Sequence, residues 1–403
     1  MAHTLEGIRV LDLSRILAGP WAAQLLADLG AEVIKVERPG AGDDTRRWGP
    51  PFLKDADGRD TTESAYFLAA NRGKKSVTLD LNHPRGQALA RALALACDVV
   101  IENFKVGDLA RRGLDYASLS RDHPRLVYCS ITGFGQDGPY AERPGYDFMI
   151  QGTGGLMSVT GPPDGEPHKV GVALADLFTG SMASNAILAA LYRREQDGQG
   201  QYIDLGLLDV QVAMLANLGL SYLTSGEVPG RQGNAHQTIV PYQVFATADG
   251  HVIVAVGNDG QYRNFCAALG LPALAADERF ATNPSRVRHR DVLVPLLAEA
   301  MRAKTSAQWL AALETLGVPC GPINRLDQVF ADPQVAARGM VVETGHPLAG
   351  LVRTIGNPIH FSRTPIEYRR PPPLLGEHNG EVLSGVLGLH EAEIAALRAE
   401  GVV

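Results

Sequence analysis

The stretch Ile8-Arg-Val-Leu-Asp-Leu13, followed by Ala18-Gly-Pro20 and then by Glu32-Val-Ile-Lys-Val-Glu37, decides the fold. Residues 8–13 are a short apolar run of the kind that forms a strand buried on both faces. Pro20 falls at a helix start, where its missing N–H costs nothing. Trp21 to Leu29 has helical spacing, and Gly30 follows it as a C-cap. Residues 32–37 read as a second strand, so the opening segment is a βαβ unit. The alternation continues outward, with a strand at 76–81, a helix at 84–96 and strands at 98–102 and 125–131. Strands that take turns with helices predict a parallel sheet covered on both faces, hence an α/β fold.

Farther along, residues 132–172 are crowded with Gly and Pro and include Gly152-Thr-Gly-Gly155. A loop of that length inside a domain is usually functional. A long helix is expected from Leu177 to about Arg194, closed by Asp197-Gly-Gln-Gly200. A second region begins near Gly233. There Asp249-Gly250 separates two apolar runs, 243–248 and 251–256, which predicts a hairpin. Helical patterns follow at 259–269, 290–303 and 305–316, with a last helix from about 390.

The 403 residues are 45% hydrophobic, enough for two cores. A net charge of −7 argues against a nucleic-acid partner, whose footprint is a basic excess. The four cysteines, Cys97, Cys129, Cys266 and Cys320, form no C-x-x-C pair, a pattern expected of a reduced cytoplasmic protein. No signal peptide and no run of 18 apolar residues is visible, so no membrane partner is expected.

Chemistry concentrates at few positions. Asp176, in Val170-Gly-Val-Ala-Leu-Ala-Asp176, precedes an apolar helix. It reads either as an N-cap or as an ionised carboxylate nucleophile held by the positive helix end. The first βα turn lacks G-x-G-x-x-G, so NAD binding is not expected even though Glu37 ends the second strand. The cationic clusters Lys35/Arg38, Lys74/Lys75 and Lys105/Arg111/Arg112 sit near strand ends, where they suit a phosphate-bearing ligand or are solvated. A G-x-S-x-G elbow and an H-x-x-x-H pair are both missing, which excludes the common hydrolase and zinc-site readings and leaves no metal implied.

Many separated segments together resemble one family, the class III CoA-transferases (formyl-CoA transferase/carnitine-CoA transferase, CaiB/BaiF type). They include Leu5 to Ser14, Gly42-Asp-Asp-Thr-Arg-Arg-Trp-Gly49, Asn71-Arg-Gly-Lys-Lys-Ser76, Glu102-Asn-Phe104 and Gly133-Phe-Gly-Gln-Asp-Gly-Pro139. Gly145-Tyr-Asp147, Gly317-Val-Pro-Cys-Gly-Pro-Ile-Asn324 and Pro373-Leu-Leu-Gly-Glu-His378 extend the resemblance to the C-terminal part. Tyr128-Cys-Ser-Ile-Thr-Gly133 and His236-Gln-Thr-Ile-Val-Pro-Tyr242 look most like the succinyl-CoA:glutarate type.

The resemblance implies a Rossmann-like large domain from both chain ends (1–205 and 326–403) and a smaller α+β domain at 233–303. Residues 206–232 and 304–325 would be linkers, and ring-shaped subunits would interlock as a homodimer. It implies Asp176 as the nucleophile that carries an acyl anhydride and then a CoA thioester. Coenzyme A enters as substrate, with no other cofactor. The family's CoA site falls on Ala18, Arg38, Leu79, Asn82, Asn103, Phe104, Lys105, Arg111 and Tyr146. The acyl pocket falls on Leu17 and Trp48, with Arg46, Arg47 and His236 as candidates for a distal carboxylate. Leu17 replaces the glutamine of the oxalate enzymes, and Tyr146 stands where the racemase branch has histidine. Neither oxalate nor racemase chemistry is therefore expected; a carnitine, aromatic or branched methyl acid remains an alternative acceptor.

Overall fold

In the computed structural model, which describes residues 3–403, six short runs pair as one wholly parallel sheet. They are β1 (Arg9–Asp12), β2 (Glu32–Glu37), β3 (Lys74–Thr78), β4 (Val99–Glu102), β5 (Val127–Thr132) and β6 (Tyr202–Gly206). Their spatial order is β3-β2-β1-β4-β5-β6. Leu11 of β1 sits between Ile34 of β2 and Val100 of β4. The chain therefore winds outward from β1 in one direction and then in the other. The reversal leaves a crevice at the carboxyl ends of β1 and β4.

Three long helices carry most of the covering, namely α1 (Ala18–Asp28), α2 (Pro84–Leu95) and α3 (Leu174–Asp197). One face buries Ala22 and Leu26 of α1 and Ala183, Ile187 and Ala190 of α3 against Val10, Val99 and Val127. The other face buries Leu93 of α2 together with Val382, Leu383 and Ile394 from the last two helices, Asn379–Leu387 and Glu391–Ala399. The C-terminal segment thus completes the unit that the N-terminal segment begins. By length and composition α3 could cross a bilayer, but its buried stripe is spent on packing against α1 and the sheet.

By internal packing the chain forms two units. The larger holds the chain through Leu156, Val170–Leu220 and Pro333–Val403. The smaller holds Met157–Lys169 and Ser221–Asp332. In the smaller unit, Tyr242–Ala246 and His251–Ala255 form the expected antiparallel hairpin, joined on its other side by Cys320–Pro322. The stretch 304–325 is no linker. Its helix Ser306–Thr315 places Trp309 and Leu313, one turn apart, in the same core as Phe245, Phe265 and Leu297. Residues 206–232 likewise carry two helices, Leu207–Ala213 and Ala216–Ser225.

In two of the three cationic clusters one lysine proves to be interior, while Arg38 stays exposed and Lys75 partly buried. Lys74 Nζ is fully buried and donates to Asp12 Oδ2 at 2.8 Å, Asn71 Oδ1 at 2.9 Å and the Pro20 carbonyl at 2.8 Å. Lys35 Nζ, also fully buried, donates to Asp43 Oδ2 and to the Ser14 carbonyl, each at 2.9 Å. Burial would raise the Asp12 carboxyl, but Lys74 and Lys35 hold it below the usual carboxylate range. Burial pulls Lys74 down to about 8, with Asp12 opposing the fall, so the pair is ionised at neutral pH. Neither ammonium is free for a phosphate. Removing one partner of a buried pair strands the other. Lys74→Met is expected to destabilise the protein by about 3–5 kcal/mol, read as a lower denaturant midpoint; a midpoint equal to wild type would show that Asp12 needs no partner.

Candidate active site

The crevice begins at the turn between β1 and α1. This turn has no glycine before Gly19, and Ile16 sits at φ 71°, a strained conformation for a β-branched residue. Surrounding bonds impose it. Arg15 N donates to Asn103 Oδ1 at 3.0 Å, and Asn103 Nδ2 returns to the Arg15 carbonyl at 2.7 Å. Ile16 N donates to Asp43 Oδ1 at 3.3 Å. The turn presents Leu17 and Ala18 to a cavity completed by Asn103, Phe104, Lys105, Tyr146 and Asp176.

Asp176 is brought there by a close helix crossing. A Cβ on Gly180 would lie 2.5 Å from the Ala18 carbonyl oxygen, so only glycine lets α3 rest on the start of α1. Asp176, one turn earlier, then meets the β1–α1 turn. It is not the N-cap, as one reading of the sequence had it. It is the third residue of α3, and the cap position is Ala173, which has no side-chain hydrogen bond. The capping carboxylate comes from elsewhere, since Asp147 Oδ1 accepts from Ala175 N at 2.8 Å and from Asp176 N at 3.3 Å. The expectation of an easily ionised Asp176 is also corrected. It is 9% exposed, and burial, with Asp147 adding to it, pushes its carboxyl up to about 7.

A second cavity shares Phe104 and Arg15 with the first and extends over the ends of β2 and β3. It is lined by Arg38, Leu79 and Asn82. Arg112, not Arg111, completes this cavity, and its Nη2 donates to Asn82 Oδ1 at 3.2 Å. The 3₁₀ turn Ala110–Arg112 points Arg111 outward onto Asp108.

The acyl-pocket residues divide. Leu17 lies in the cavity with Asp176. Arg46 does not. It is buried on Glu37 (Nε–Oε2 2.7 Å, Nη2–Oε1 2.8 Å) and on Glu63 (2.9 Å), and so is committed to the interior. Arg47 and Trp48 are exposed and line neither cavity. Trp48 meets Tyr66 edge-on at 5.0 Å. The Tyr66 phenol is pushed up to about 12 by burial and then by Asp176 and Asp147, which places Tyr66 within electrostatic reach of the site although sequence reading passed it by. His236 belongs to the smaller unit, where its Nδ1 accepts from Thr238 N at 3.1 Å and its ring lies 5.3 Å from Tyr242. Arg15 and Asp147 were also not named as site residues, although Gly145-Tyr-Asp147 was among the segments that carry the resemblance; Gln151, one helical turn on, is the hydrogen-bonding partner of Asp147.

These features define an α/β protein with a nucleotide-binding sheet topology and two neighbouring cavities, one of which holds a buried carboxylate. A family model described as CoA-transferase family III matches residues 5–379. The succinate–glutarate CoA-transferase of Agrobacterium fabrum is 53% identical over 380 residues, covering 94% of this chain and 95% of that protein. The human succinyl-CoA:glutarate CoA-transferase is 45% identical over 399 residues, covering 99% of this chain and 90% of that protein. A CaiB/BaiF family crystal structure from Brucella suis superposes with a TM-score of 0.85 at 50% identity, covering 96% of this chain and all of that one. The chain belongs to CoA-transferase family III, and it is an enzyme of the CoA-transferase class.

The raised Asp176 carboxyl has a consequence for stability. A carboxyl whose value is raised in the folded state stabilises the fold while protonated. It loses that contribution as pH rises from its unfolded value near 4 through about 7. Asp176→Asn should therefore be more stable than wild type at pH 8, by at most ~4 kcal/mol. The difference should vanish below about pH 4. Thermal unfolding of both proteins from pH 4 to 8 reads this directly, and a pH-independent difference would contradict it.

Proposed function

We propose that this enzyme moves CoA from succinyl-CoA to glutarate or a related dicarboxylate, with Asp176 as the covalent carrier. The observation that carries the proposal is the buried Asp176 carboxylate in a cavity that shares Arg15 and Phe104 with a second cavity over the carboxyl edge of the sheet. The names of the Agrobacterium fabrum and human relatives support the choice of acids.

In the proposed cycle an Asp176 oxygen attacks the thioester carbonyl of the donor. The C–S bond breaks, leaving an acyl-aspartyl anhydride and CoA thiolate. The thiolate attacks the aspartyl carbonyl and expels the donor acid, so CoA is now held as an aspartyl thioester. The acceptor carboxylate attacks that thioester and frees the thiolate again. The thiolate takes the acceptor's acyl carbonyl, releasing new acyl-CoA and the Asp176 carboxylate. Each step exchanges one acyl bond for another, so no redox partner is needed. A carboxylate is a weak nucleophile in water, and burial removes the shell that blunts it. Leu17 and Ala18 line the same cavity as Asp176, and in this cycle their backbone N–H groups would receive the oxyanions. Lys105, Arg15 and Arg143 line the same cavity and favour an acid with a second carboxylate.

The proposal includes a homodimer of interlocked ring-shaped subunits. Exposed Tyr146, Phe148 and Met149, at the start of the helix Asp147–Thr153, and Phe178 and Met182, on the helix of Asp176, support a partner surface there. It also includes a cytoplasmic location, which the four unpaired cysteines support.

Incubation with succinyl-CoA, with and without glutarate, followed by mass spectrometry tests the cycle. The expected result is an adduct on the Asp176 peptide and glutaryl-CoA in the second sample. Asp176→Ala should lose transfer by at least about 10³-fold while still binding CoA esters. Wild-type turnover by that variant would remove Asp176 from the mechanism.

A further inference from the structure

We infer that Asp147 is a positioning residue of the transfer reaction, holding the first turn of α3 in place and governing when Asp176 becomes a nucleophile. The inference rests on the proposal that Asp176 is the covalent carrier.

Three bonds converge on the Asp147 carboxylate. Oδ1 accepts from the N–H groups of Ala175 and Asp176, two of the donors that a helix start leaves without an internal partner. Oδ2 accepts from Gln151 Nε2 at 2.7 Å, four residues on in the helix Asp147–Thr153. Gln151 is fully buried, and its Oε1 accepts from Val170 N at 2.9 Å. One side chain thus ties the nucleophile's own backbone to a buried anchor. The same anchor holds the segment that leads into α3.

The second effect is electrostatic. A helix N-terminus ordinarily favours an ionised carboxylate. Here the negative charge of Asp147 already occupies that end, and a like charge nearby opposes ionisation of the second carboxyl. Other charged groups lie around the cavity: Arg15 on the β1–α1 turn, Lys105 on the loop after β4, and Glu142 and Arg143 on the segment before Tyr146. Tyr66, in the short helix Ala65–Ala69, lies within electrostatic reach of the pair. Asp147 opposes ionisation of the Asp176 carboxyl in the same direction as burial, the larger cause. Once the acyl group is on Asp176 its charge is gone. The repulsion then vanishes, so Asp147 disfavours the free carboxylate relative to the anhydride and the thioester.

The test compares wild type with Asp147→Asn and Asp147→Ala in single-turnover release of CoA from succinyl-CoA between pH 5.5 and 9. The wild-type rate should rise through a limb near pH 7 as Asp176 ionises. Asp147→Asn keeps an acceptor for the two backbone N–H groups but removes the charge. Its limb should move to lower pH by about one unit or more. Asp147→Ala removes the bonds as well and should slow release about 10- to 100-fold across the range, with the KM for succinyl-CoA changed far less. Melting curves identify any variant that has lost its fold, and in that event the Asn variant alone decides. An Asn variant whose limb coincides with that of wild type overturns the inference, as does an Ala variant with wild-type rates. Mass spectrometry of the wild-type Asp176 peptide separates the two levels. An adduct found there with an unmoved Asn limb rejects the role of Asp147 alone. An adduct absent there rejects the covalent carrier on which it rests.

Discussion

Two buried ammonium groups give the β1–α1 turn its shape, and both cavities are built on that turn. Dinucleotide-binding turns are bent by glycines. This one has to be bent by its surroundings. Lys35 pulls the Ser14 carbonyl inward and Lys74 holds the Pro20 carbonyl, so both ends of the turn are fixed from below. Strain at one residue such as Ile16 costs about 1–3 kcal/mol. Hydrogen bonds to charged groups contribute about 1.5–3 kcal/mol each, so the two lysine bonds alone can offset it. The lysines are stable inside only because Asp12 and Asp43 accompany them. An ion-pair pattern that resembled a phosphate site in the sequence is therefore the foundation under the site rather than a part of it.

The same economy governs Asp176. The macrodipole of α3 favours an ionised carboxylate in the first turn by about 0.3–1 kcal/mol, rising to about 2 in partly buried settings. Displacing the carboxyl from near 4 to about 7 corresponds to about 4 kcal/mol in the other direction. Burial and Asp147 therefore win. The close crossing at Gly180 is the cause of the burial, because it draws the start of α3 down onto Ala18. A carboxylate held this way is poorly solvated and costly to ionise, which is the state from which acylation gains most.

The fold was legible where period and punctuation agree. The alternating runs from Arg9 to Thr132 named five of the six parallel strands, and Asp249-Gly250 named the hairpin of the smaller unit. β6, Tyr202–Gly206, was not named, since its exposed and buried positions alternate weakly and Gly206 ends it. The linkers were misread because burial of Trp309 and Leu313 depends on partners more than 40 residues earlier, which no local window contains. The site was legible to the extent that motif positions fix backbone placement: Leu17, Ala18, Asn103, Phe104, Lys105, Tyr146 and Asp176 meet in one cavity. What sequence could not supply was charge pairing. Arg46 looked like a ligand-binding cation, and only the fold shows Glu37 and Glu63 taking it, while Arg111 turns outward onto Asp108 at the surface.

That pairing narrows how an acid substrate could be held in the proposed reaction. A distal carboxylate needs a cation whose charge is not already neutralised by a tight partner. Arg46 fails, since it is bidentate on Glu37 in the interior. Arg15 has only the half-exposed Asp44 at 3.0 Å, a solvent-screened contact of small worth. Arg143 stacks over Tyr140 at 3.9 Å, which orients its guanidinium without cancelling its charge. Lys105 has no ion pair among the described residues and lines the same cavity as Phe104 and Asp176. The positive charge that remains for substrate therefore lies at the mouth of the cavity and not at its floor, where the nucleophile is. A donor whose acyl group ends in a free carboxylate fits that polarity, because that carboxylate can stay near these cations while the thioester carbonyl at the other end reaches Asp176.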